Sequence, residues 1–148
     1  MVTLIKFFHL AAAIVWMGGL AFMLFALRPA AAVTLAPPQR LPLIAATLQR
    51  FFNIVWASIA VLLLSGVTML LAVGMKNAPL GWHLMLGIGL LMFALFGHLY
   101  FGPYKRLARA VAASDWPAGG AQMLKISKLA MVNFVLGWIS IAAVRFLE

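Results

Sequence analysis

The chain has 148 residues, of which 66% are hydrophobic and 9% charged, and its mean hydropathy is +1.11. A soluble domain of this size cannot hide that much apolar surface, so its natural solvent is lipid. Only two acids, Asp115 and Glu148, and no cysteine are present. That argues against carboxylate proton relays, paired-carboxylate chemistry, all-oxygen metal cages, disulfides, thiolate zinc, iron–sulfur clusters and covalently attached haem.

The first apolar run is Leu4–Leu27. It exceeds the h-region of about 7–15 residues found in a cleaved leader, and it carries His9 and Trp16, so it is expected to stay as a spanning helix. The second, third and fourth runs are Phe52–Gly74, Leu80–Phe101 and Leu129–Leu147. Each reaches the roughly 20 residues that a spanning helix needs, and continuous runs of this kind mean helices. The expected fold is all-α: one transmembrane domain over residues 1–148, built as an antiparallel four-helix bundle. Runs one and three are expected to stop at Pro29 and Pro103. The long connections contain Pro37-Pro38 and Trp116-Pro117-Ala118-Gly119-Gly120, which read as breakers. Leu41–Phe51 and Tyr104–Ala113 read as helical extensions into the interface.

The net charge of +9 does not point to nucleic acid. Eight of the eleven basic residues lie in or beside the first and third connections: Arg28, Arg40, Arg50, Lys105, Arg106, Arg109, Lys125 and Lys128. Lys6, Lys76 and Arg145 lie on the other side. This asymmetry predicts a multi-pass membrane protein with both termini on the outer face. The Tyr104–Arg109 cluster then serves as a cytoplasmic anchor.

The halves read as two weakly repeated hairpins. His9-Leu10…Phe22…Pro29 matches His83-Leu84…Phe96…Pro103, and Trp56-Ala57-Ser58-Ile59-Ala60 matches Trp138-Ile139-Ser140-Ile141-Ala142. Chance similarity between apolar helices explains such matches equally well.

An ionisable residue inside a spanning segment marks a candidate functional site. His9 and His83 fall at similar depth near the outer surface, and neutral imidazole is a ligand for haem iron and copper. The His9 face carries Ala12, Ala13 and Trp16; the His83 face carries Leu86, Gly87 and Leu90. A bis-histidine haem b between helices one and three suits this pattern, with His9 and His83 on iron, Trp16 on the macrocycle rim and Gly87 leaving room. Interfacial histidines bonded to water or backbone are the plainer alternative. His98 lies fifteen residues after His83, about 22 Å further along the helix. It is expected to bond Asn53, Asn133 or a carbonyl; a second haem with Met23 opposite it is the less favoured reading. The nine methionines allow a copper reading, with Met69, Met75, His83 and Met85 near one end. Ordinary packing explains most methionines in apolar helices.

The run Ile5-Lys6-Phe7-Phe8-His9-Leu10-Ala11-Ala12-Ala13-Ile14-Val15-Trp16-Met17-Gly18-Gly19 resembles the opening helix of the copper-resistance D (CopD) family. It is also similar to that of the related HemJ-type protoporphyrinogen oxidases. His83-Leu84-Met85…His98-Leu99-Tyr100-Phe101…Pro103-Tyr104-Lys105-Arg106-Leu107 and Asp115-Trp116-Pro117 resemble small CopD-like proteins. The HemJ resemblance implies a haem-binding core with His9 as ligand. Those enzymes also use a third-helix lysine that is missing here, where His83 and Met85 stand instead. The CopD resemblance implies copper handling, mainly a role of larger members. Three functions follow as expectations, beside the plainer one of a structural or assembly subunit without a cofactor. The first is a b-type haem protein, a haem-dependent oxidoreductase if it is an enzyme, exchanging electrons with a quinol or another redox partner. The second is a copper-handling protein, and the third a porphyrinogen oxidase. Catalytic residues are not assigned. A homodimer is compatible with all three, because four helices offer little lateral surface for burying a porphyrin.

Overall fold

A computed structural model describes residues 1–147. Four long helices make up the chain: α1 Val2–Thr34, α2 Pro37–Val73, α3 Leu80–Ala112 and α4 Trp116–Phe146. All are long and apolar enough to cross a membrane. They alternate in direction, with α1 packed along α2 and α3 along α4. The expected four-helix bundle of two hairpins is therefore present, and the chain is a multi-pass membrane protein.

The helices are longer than the apolar runs. At 1.5 Å per residue, a 33-residue helix such as α1 measures about 50 Å against a hydrocarbon layer of about 30 Å. The excess falls at the end carrying the eight clustered cations. What the sequence reads as two long loops is mostly helix overshooting the bilayer. Only residues 35–36 and 113–115 separate the helices there.

Neither Pro29 nor Pro103 ends its helix. A proline ring clashes with the carbonyl four residues back and offers no N–H. A π-helical turn meets this problem in both places, over Met23–Leu27 before Pro29 and over Tyr100–Tyr104 around Pro103. In the first, the Arg28 N–H reaches back five residues to the Met23 carbonyl. Such a widened turn re-phases the residues that follow it.

The Trp116–Gly120 stretch is also helix rather than breaker. The Asp115 carboxylate accepts a hydrogen bond from the Ala118 N–H at 3.2 Å and caps α4, and Pro117 stands in the first turn, where its missing N–H costs nothing. Gly119 lets α4 approach closely: a Cβ there would come within 3.0 Å of Leu41 Cδ1. Pro37 and Pro38 likewise open α2, and Gly74, at φ +84°, closes it.

The densest packing lies in the cation-bearing half. Leu41, Ile44, Leu48, Phe52 and Val55 of α2 meet Phe96, Leu99 and Leu107 of α3 and Ile126 of α4. Rings of Phe52, Trp56, Phe96, Tyr100 and Tyr104 pack edge-on or tilted through this region, with centroids 4.9–6.2 Å apart.

Candidate metal-binding site around His9

His9 lies on α1 facing α2, where Ser65 and Gly66 provide a small-residue surface. The imidazole Nδ1 is 2.7 Å from Ser65 Oγ. Ser65 sits one turn after Val61, and its hydroxyl donates to the Val61 carbonyl. A serine hydroxyl has one proton to give. With that proton on Val61, Nδ1–H donates to Ser65 Oγ, one of the two tautomers that the contact fits. In that tautomer the lone pair of Nε2 is free. A hydrogen bond on one ring nitrogen that fixes the other as ligand is the usual outer-shell arrangement of metal-binding histidines. Gly66 adds the space: a Cβ there would stand 3.4 Å from His9 Cε1.

The other candidates are dispersed. His83 is half-buried on α3 with no side-chain hydrogen bond among the described residues, and none joins it to His9. Gly87, one turn on, is exposed, with nothing within 4 Å of a Cβ placed on it. Gly87 thus meets no neighbouring helix one turn beyond His83. Trp16 is 2% exposed and stacks on Phe93 at 5.8 Å, with its edge toward Phe96. It fills the space between α1 and α3 at its level. His98 does not have the expected partner: it is exposed and forms no hydrogen bond among the described residues. Asn133 instead donates to the Met92 carbonyl at 3.2 Å, and its own Oδ1 is buried without a partner. Asn53 is exposed.

The methionines divide by position. Met23, Met92 and Met123 are buried in the core, and Met17 packs on Gly137, as ordinary packing predicts. Met69, Met75 and Met85 stand toward the His9 end, and Met69 shares the face of α2 with Ser65, one turn further out. No group of three His, Cys, Asp or Glu side chains could hold a metal among the described residues. Imidazole and thioether side chains are the soft donors at this end, the ligand types that suit Cu(I). Sequence reasoning missed Ser65, the residue that gives His9 its geometry. Its only signal is a Ser-Gly pair inside an otherwise aliphatic run.

Four apolar helices, with one imidazole hydrogen-bonded between the first two, define a small integral membrane protein. The family profile for copper resistance protein D matches residues 45–147, and the chain belongs to that family. The match includes Ser65 and His83 and begins after His9. No curated protein and no solved structure matches the chain.

Proposed function

We propose that this protein handles copper in the membrane, taking Cu(I) as cargo at the bundle end that holds His9. The observation that carries this reading is the Val61–Ser65–His9 chain of hydrogen bonds, which presents Nε2 as a fixed donor. Family membership supports it independently. Met69 is the proposed thioether ligand, since it follows Ser65 by one turn on the same face. His83 and Met85 at the same end receive or deliver the ion. The cation-rich overshoot lies at the opposite end, so a positive ion meets less repulsion at this one. A bacterial inner membrane with this end outward agrees with the distribution of Lys and Arg.

Haem b on His9 and His83, with electron transfer to a quinol, has less support. His9 is engaged with α2, and Trp16, Phe93 and Phe96 fill the space between α1 and α3 about two turns further in. Porphyrinogen oxidation has less again, without the third-helix lysine.

Competition for Cu(I) against a chromogenic chelator, with the full chain in detergent, tests the proposal. The wild-type protein should hold one Cu(I) per chain, and His9→Ala should weaken it by at least about tenfold. Unchanged affinity in His9→Ala would overturn the assignment. A reduced haem b spectrum at one haem per chain would replace it with the cytochrome reading.

A further inference from the structure

The eleven Lys and Arg side chains are not equally placed. Nine are exposed; the two that are half-buried, Arg28 and Arg40, line the same cleft. This cavity of about 170 Å³ lies between α1, α2 and α4 at the cation-bearing end. Arg28 enters it directly after the π-turn of α1. Arg40 stands in the first turn of α2 and donates to the Ala32 carbonyl at 3.4 Å. Neither forms an ion pair among the described residues. The acid there, Asp115, is exposed and occupied in capping α4. Two guanidiniums in one partly desolvated cleft repel each other, and their planar forks remain largely free to donate.

We propose that Arg28 and Arg40 form a binding site for a phosphate oxyanion, supplied by the headgroup of an anionic phospholipid. Paired guanidiniums match phosphate oxygens in charge and in bidentate geometry. The cleft wall favours a lipid as the source. Leu41 and Ile44 form a buried apolar floor beside the arginines, and Leu124, 56% exposed, continues that apolar surface outward. An acyl chain can lie there while the phosphate meets the charge. Arg28 also follows the apolar span of α1 immediately, which sets the cleft at headgroup depth. Basic pockets between spanning helices on the positive side are where such headgroups bind.

The test is native mass spectrometry of the intact chain in detergent with phosphatidylglycerol, phosphatidylcholine or inorganic phosphate added. Phosphatidylglycerol should give the dominant adduct, and Arg28→Gln with Arg40→Gln should reduce it by about tenfold. The exposed pair Lys125→Gln with Lys128→Gln should leave it within about twofold of wild type. A side chain at Gly120, which lines the cleft and has open space around it, should block the site while both arginines remain. Gly120→Leu therefore decides the matter if the arginine variant does not fold, and the same loss is expected. Equal phosphatidylglycerol adducts in all variants would overturn the proposal. Arginine-dependent binding of inorganic phosphate without a phosphatidylglycerol preference would overturn the lipid as source and assign the site to a soluble phosphate.

Discussion

One serine determines which nitrogen of His9 faces outward. With the Ser65 proton on the Val61 carbonyl, its oxygen accepts from the imidazole. Ser65→Ala should therefore leave the fold intact while freeing the ring to rotate and change tautomer. Removing such an outer-shell partner typically costs about 10–100-fold in metal affinity, so a Cu(I) affinity at least tenfold weaker is expected. The chelator competition that measures His9→Ala measures this variant too, and an unchanged value would mean that the serine does not orient the ligand. Histidines inside apolar runs are legible in a sequence, because they are costly there. Ser65 was not legible. A serine satisfied by its own helix looks the same whether or not a second helix uses its oxygen.

At the level of elements, glycines sort the helix contacts more sharply than the hydrophobic pattern does. Gly81 begins α3 where it crosses α4: a Cβ there would come 2.5 Å from the Ala143 carbonyl oxygen and 3.0 Å from Val144 Cα. Those are backbone atoms, so the crossing itself must widen. Gly81→Ala should destabilise by about 1–3 kcal/mol, the range of overpacking, and lower the thermal midpoint in detergent. Gly87→Ala meets open space and should leave the midpoint unchanged or raise it, because alanine is the better helix former. Equal losses in both would contradict the packing described for α3. Helix ends were the least legible elements. Pro29, Pro103 and Trp116–Gly120 look like stops in the sequence. Two π-turns, the Asp115 cap and the close approach at Gly119 carry the helices through or start them early. Such compensation depends on neighbouring helices, which local composition does not reveal.

Across the whole molecule, packing and charge are both uneven. The fully buried large side chains, from Leu41 to Val55 on α2, from Phe96 to Leu107 on α3 and at Ile126 on α4, all lie toward the cation-bearing end. The His9 end is joined mostly by smaller buried groups, Ala12, Ser65, Gly81 and Ala143, with Leu70 beside them. Large side-chain packing is thus concentrated at the end proposed to meet phospholipid, while smaller groups predominate at the end proposed to exchange copper. The four-helix architecture was legible from mean hydropathy and run length alone, since lipid admits few other solutions. The relative rotation of the helices was not. It turns His9 toward α2 and leaves Gly87, one turn beyond His83, exposed.

The central claim is that His9 binds copper through Nε2. X-ray absorption fine structure of the Cu(I)-loaded full chain addresses it directly. The account predicts imidazole scattering together with sulfur in the wild-type protein, and loss of the imidazole contribution in His9→Ala. A shell containing sulfur alone in the wild type, or imidazole scattering that persists in the variant, would contradict it.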